Sequence, residues 1–167
     1  MDEKNGIKWM VDKYINGLNN GKYAKILWGN RSINKIDWIH IKKFINEYNI
    51  KTVLEYGVGL STELMILEEV KVVSLETLEW WANICRRVIN KEVIHYNSNE
   101  IPVFDKKFDM AFIDGPKAGR VKEILHAKTI SDIIYLHDPS RKNELELMND
   151  WTEIEILNYS HHFFSRK

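Results

Sequence analysis

The chain has a single cysteine, Cys85, in 167 residues. That excludes an intramolecular disulfide and any cysteine-built zinc site, and it suits a reducing compartment. Cys85 itself reads as a small, half-buried residue on a helix. Proline is scarce, with three in the chain, and no Pro-, Gly- or Ser-rich linker or internal repeat divides it. One domain over 1–167 is expected, a length sufficient for one core of ordinary size. Charge of one sign is also missing, since Lys plus Arg equals Asp plus Glu at 24 each. Without a global field, neither nucleic acid nor an anionic membrane is an expected partner. No apolar run approaches the roughly 20 residues that span a bilayer. The polar start Met1-Asp2-Glu3-Lys4-Asn5 does not have the form of a signal peptide. A cytoplasmic protein without membrane insertion is the expectation.

The richest stretch is Lys51-Thr52-Val53-Leu54-Glu55-Tyr56-Gly57-Val58-Gly59-Leu60-Ser61-Thr62. An apolar run ends in an acid, two glycines follow one residue apart, and a hydroxyl pair opens an amphipathic segment from Glu63 to Val70. This reads as strand, tight turn, helix. Glycines there let backbone approach a ligand closely. A dinucleotide-binding turn would carry a third glycine three residues after Gly59, but Thr62 stands there. Glu55 would repel a pyrophosphate and suits an ammonium. A nucleoside with a cationic amino-acid tail fits this turn better than NAD.

Upstream, Ile7, Met10, Val11, Tyr14, Ile15 and Leu18 recur at helical spacing, and Asn19-Asn20-Gly21 stops the helix. A second helix is predicted over about 35–48, with Ile36, Ile39, Ile41, Phe44, Ile45 and Tyr48 mostly on one side. The loop Leu27–Ser32 lies between them. Residues 1–49 thus form a helical cover, and 50–167 a core in which strands and helices alternate, the pattern of a parallel sheet covered on both faces. Strands are predicted at Thr52–Tyr56, Lys71–Leu75, Val93–Tyr96, Phe108–Ile113 and Asp132–Leu136. Helices are expected through Ile89, near Gly119–Lys128 and near Asn143–Asn149. Thr152–Leu157 and His161–Ser165, joined by three residues, must pair antiparallel. Glu55, Glu76, Asp114, His137 and Asp138 each directly follow an apolar run. That places all five at the carboxyl edge of the sheet, where open α/β sheets bind ligands.

The acid followed by Gly57-Val58-Gly59 at the end of a first strand resembles the first motif of the class I S-adenosylmethionine-dependent methyltransferases. The likeness extends from about Ile50 onward. Five parallel strands closed by an antiparallel hairpin is the layout of that family's Rossmann-like, seven-stranded α/β sheet, with helices on both faces. The run Phe108–Asp114-Gly115-Pro116-Lys117, then Gly119-Arg120, then Ile133–His137-Asp138-Pro139-Ser140-Arg141 is similar to small-molecule and glycan O-methyltransferases, glucuronoxylan 4-O-methyltransferases among them. Base amino-methylating enzymes carry Asp/Asn-Pro-Pro-aromatic at the fourth strand, which Asp114-Gly115-Pro116-Lys117 does not match.

The resemblance implies methyl transfer from S-adenosylmethionine to a hydroxyl of a sugar, glycan or similar small molecule. It assigns cofactor binding to Glu55, Gly57, Gly59, Ser61, Thr62, Glu76, Thr77, Trp81, Ser98 and Asp114. Glu76 would take the ribose hydroxyls on its two oxygens, while Thr77 also reads as a helix cap. Trp80 or Trp81 would stack on adenine, the other being core. Asp114, His137 and Asp138 are the catalytic candidates. Lys117, Arg120 and Arg141 are candidates for holding an acidic or polyhydroxylated acceptor. Some relatives hold a divalent metal between acids at the places of Asp114 and Asp138. Pro139 replaces the third ligand, so no metal is expected. A nitrogen or macromolecular acceptor on the same fold, or a nucleoside-binding protein without chemistry, are the competing readings.

Overall fold

In the computed structural model, residues 33, 35–89, 92–97, 99–115, 119–137, 142–157 and 161–166 are described. The predicted helix over Ile7–Leu18 and the Leu27–Ser32 loop lie outside them. Five helices are present among these residues: α1 (Lys35–Glu47), α2 (Leu60–Leu67), α3 (Glu79–Ile89), α4 (Arg120–Ile130) and α5 (Lys142–Glu146). The seven strands are β1 (Thr52–Tyr56), β2 (Lys71–Glu76), β3 (Val93–His95), β4 (Met110–Ile113), β5 (Ile133–His137), β6 (Trp151–Leu157) and β7 (His161–Arg166). They form one sheet in the order β3-β2-β1-β4-β5-β7-β6. The first five run parallel, and β7 is antiparallel to both β5 and β6.

The parallel strands are apolar on both faces because helices cover both. Alternate residues divide the core by the period of two. Val53, Met110, Phe112, Tyr135 and Phe163 pack with Leu64, Met65 and the buried residues of α1. Leu54, Tyr56, Ala111, Ile113, Ile134 and Leu136 pack with Ile124, Ala127 and Ile130 of α4. Each fully buried aliphatic side chain contributes about 1.5–3 kcal/mol of transfer free energy.

Of the boundaries that differ from the sequence reading, two have identifiable reasons. β4 starts at Met110 and not Phe108, because Asp109 turns its carboxylate back onto the Lys51 and Thr52 amides, at 2.8 Å each. α2 starts at Leu60 and not Glu63, because Thr62 Oγ1 accepts the Gly59 N–H at 3.0 Å and closes the first turn. The face of α1 is also rotated. Trp38, Ile41, Phe44 and Ile45 are buried, whereas Ile36, Ile39 and Tyr48 are exposed. Phe44 stacks on Phe163 of β7, with ring centroids 3.9 Å apart. Among the described residues, no helix is long and apolar enough to cross a membrane.

Candidate functional site

The carboxyl ends of β1, β2, β4 and β5 bring together most of the residues singled out from the sequence. Gly57 follows β1 with φ +93°, a conformation that favours glycine. A Cβ at Gly57 would lie 2.8 Å from the Asp114 carbonyl oxygen and 3.1 Å from Gly115 Cα. The glycine is therefore needed for the turn after β4 to pack against the turn after β1, and not directly for a ligand. A Cβ at Gly59 would meet nothing within 4 Å. Open space for a ligand to approach backbone lies at the second glycine.

Glu55 departs from the role expected of it. Its side chain is fully buried. It accepts hydroxyl protons from Ser61 at 2.5 Å, from Thr62, and from Ser74 at 2.7 Å. Ser74 is its register partner on β2, so parallel pairing places the hydroxyl beside the carboxylate. Glu55 does not present an open carboxylate to an ammonium, and Ser61 and Thr62 spend their hydroxyl protons inside the protein. These three residues frame the glycine turn from beneath.

Glu76 remains at the edge of β2. Its Oε1 accepts the Leu78 N–H at 2.9 Å. Burial pushes its carboxyl up, while the amides of Leu78, Thr77 and Val58 and the Thr77 hydroxyl pull it back. Glu76 is thus tied both to Val58 in the glycine turn and to the start of α3. Trp81 braces the same turn by donating its indole N–H to the Val58 carbonyl at 2.9 Å. It packs on the small cluster of Val58, Ala82, Cys85 and Val93. Of the two tryptophans Trp80 is the outward one, 38% exposed. Trp81 is half-buried, its N–H committed to the glycine turn and its ring packed in part on that cluster.

Asp114 follows β4 and His137 ends β5, strands that lie side by side. Asp114 Oδ1 and His137 Nδ1 are 2.5 Å apart. An ionised carboxylate only accepts, so Nδ1 carries the bonded proton and Nε2 is the basic nitrogen.

Arg120 does not face an acceptor. It is 5% exposed, and its guanidinium donates to the Gly115 and His137 carbonyls. The placement follows from the buried stripe of α4, Arg120, Glu123, Ile124, Ala127 and Ile130. Ser98, Lys117, Asp138 and Arg141 lie outside the described residues. Among the described residues, no three side chains of His, Cys, Asp or Glu are grouped to hold a metal.

The sequence reading missed Glu123 and Tyr96. Glu123 is fully buried, and its Oε1 accepts the Tyr96 hydroxyl at 2.6 Å. Its Oε2 has no hydrogen-bond partner. Its place three residues after Arg120 on the apolar stripe was the available signal. Burial pushes Glu123 up to about 7, against the Tyr96 hydrogen bond and the Arg120 charge. Glu55 is also pushed up to about 7 by burial; its three hydroxyl bonds oppose this and the Asp114 charge adds to it. Carboxyls with raised values stabilise the fold in their protonated form. That contribution is whole below the ordinary value of 4.5 and is lost as pH rises to about 7. For Glu55 the swing is on the order of 3 kcal/mol. Glu55→Gln should remove that part of the fall in stability between about pH 4 and pH 8. Denaturant titrations across this range check it. A variant that loses stability with pH as steeply as the wild type would show Glu55 already ionised in the fold.

No protein-family model matches the sequence, and no curated protein does. Solved structures do match. An O-methyltransferase from Bacillus cereus, in complex with S-adenosylhomocysteine, superimposes with a TM-score of 0.64 at 16% identity, covering 98% of this chain and 90% of that one. A methyltransferase from Podospora anserina, also bound to S-adenosylhomocysteine, gives 0.61 at 14% identity, covering 100% and 97%. A 16S rRNA N2 G1207 methyltransferase from T. thermophilus gives 0.63 at 13% identity, but covers 86% of this chain and 46% of its own. Strand order, the antiparallel β7 and these superpositions agree: this chain has the Rossmann-like fold of class I S-adenosylmethionine-dependent methyltransferases.

Proposed function

We propose that the protein transfers a methyl group from S-adenosylmethionine to a hydroxyl of a small, polyhydroxylated or acidic molecule of the sugar class. The observation that carries this reading is the Asp114–His137 pair, 2.5 Å apart at the carboxyl ends of adjacent strands. The residues present fit the cofactor. Gly59 leaves open space beside the backbone, and Glu76 stands at the neighbouring strand end where ribose hydroxyls would be held. When bound, S-adenosylmethionine supplies a methyl group activated by its positively charged sulfur.

The chain's own task is alignment of the acceptor and removal of its proton. An alcohol is a weak nucleophile until deprotonated. His137 takes that proton on Nε2, and Asp114 on Nδ1 fixes the ring and stabilises the imidazolium formed. Lys117 and Arg141 are the candidates for holding the acceptor. Arg120 leaves that group because its guanidinium is committed to backbone. Incubation with labelled S-adenosylmethionine and a panel of sugars, nucleotide-sugars and glycans tests the reading; labelling confined to RNA or protein would overturn it. Likeness to an rRNA methyltransferase shows that the fold also serves nitrogen acceptors. Balanced charge and the Asp114-Gly115-Pro116-Lys117 turn weigh against that acceptor here.

Activity is expected to survive chelation, because Pro139 stands where a third metal ligand would be needed. Assay with and without EDTA decides this. Full loss with chelator, restored by magnesium or manganese, would place a cation between Asp114 and Asp138.

A further inference from the structure

A hydrogen bond between two different strand ends holds its length only if both turns are fixed. Arg120, the first residue of α4, touches both. Its Nε and Nη2 donate to the Gly115 carbonyl at 3.3 and 2.8 Å, and its Nη1 donates to the His137 carbonyl at 2.5 Å. Gly115 is the residue after Asp114, so one planar fork grips the backbone of both turns that carry the pair. From behind, Nη1 lies 3.6 Å from Glu144 Oε2 of α5, and both side chains are almost wholly buried, at 5% and 3% exposure. Gly115 is itself closed in on the side of Glu123, because a Cβ there would run into that carboxyl group.

We propose that Arg120 is the positioning residue that sets the Asp114–His137 separation, held in place by Glu144. This rests on the reading of that pair as the proton-accepting unit. The guanidinium is suited to the task because its donors are fixed in one plane and can reach two carbonyls at once. A lysine ammonium radiates its donors from one atom and cannot keep both bonds at these lengths. Burial of the cation is tolerable because Glu144 and Glu123 stand beside it.

The test reads the bond directly and needs no acceptor. In protein with nitrogen-15 histidine, the Nδ1 proton shared with Asp114 should give a low-field resonance, assigned by its absence in Asp114→Asn and in His137→Gln. Arg120→Lys should fold, melt cooperatively and lose this resonance or move it upfield. An unchanged resonance in folded Arg120→Lys overturns the proposal. Should that variant fail to fold, the charge-balanced pair Arg120→Gln with Glu144→Gln gives the same reading: loss of the resonance supports the clamp and retention overturns it. Collapse of both variants would assign Arg120 to holding the fold and end the positioning role. Failure of the underlying reading looks different. If His137→Gln keeps full turnover while the resonance still depends on Arg120, the clamp stands and the base assignment falls.

Discussion

His137→Ala and Asp114→Asn are each expected to lower methyl-transfer turnover by about 10²–10⁴-fold, the range for loss of a general base or of the group that orients it. The two variants should part company in cofactor binding. His137 points its basic nitrogen away from Asp114, toward the acceptor in the proposed arrangement, so His137→Ala should bind S-adenosylmethionine as the wild type does. Asp114 lies against the glycine turn through Gly57 and adds to the field at Glu55. Its loss should weaken cofactor binding as well as turnover. At limiting acceptor, the wild-type rate should rise with pH through one ionisation if His137 is the base. A flat profile from about pH 5 to pH 8 would transfer the base role to Asp114. Near-normal turnover in both variants would remove the base from the β4 and β5 ends altogether.

The second large effect separates two glycines that look alike in sequence. Gly57→Val should unfold or severely weaken the protein. It places a branched side chain at φ +93°, and its Cβ would fall within 3.1 Å of the backbone of Asp114 and Gly115. Strain and overlap together amount to about 2–6 kcal/mol, a large part of a typical domain's stability. Gly59→Val has no such cost, since its backbone is extended and no heavy atom lies within 4 Å of the new Cβ. It should fold normally and lose the cofactor. In the wild type, S-adenosylhomocysteine at about 100 times its dissociation constant should stabilise the fold by about 2.7 kcal/mol. That corresponds to a rise in Tm of roughly 5–11 °C. Gly59→Val should show little of that rise, and NAD should produce far less in either protein. A wild type that responds to NAD and not to S-adenosylhomocysteine would overturn the cofactor assignment.

The strands were legible because buried parallel strands read as short apolar runs ending in polar residues. Glu55, Glu76, Asp114 and His137 could be placed at one edge on that pattern alone. Their partners could not. Ser74 is separated from Glu55 by most of a strand–helix–strand unit, and only the register of β1 on β2 sets the two side by side. Residue types at the turn suggested a site for an ammonium, yet the same types serve equally well to satisfy one another. Arg120 was misread for a similar reason. Periodicity was judged on apolar residues, and a buried arginine on the apolar stripe of α4 carries the polar signature of a surface. Ile36 and Ile39 erred the other way: apolar spacing suggested burial, while Trp38 and Ile41 hold the inner face of α1.

The stack of Phe44 on Phe163 joins the earliest described helix to the last described strand. β7 also separates β5 from β6, so β6 has no place in the sheet until β7 has been inserted. During synthesis, α1 and the parallel strands leave the ribosome before their closing partner does. Until then the β5 edge is unpaired and Phe44 lacks its ring partner, a state open to pairing with other chains. Contacts this distant in sequence also slow folding, because much of the loop entropy must be lost before they form. The order of strands thus makes the β6–β7 hairpin the gate to the native state.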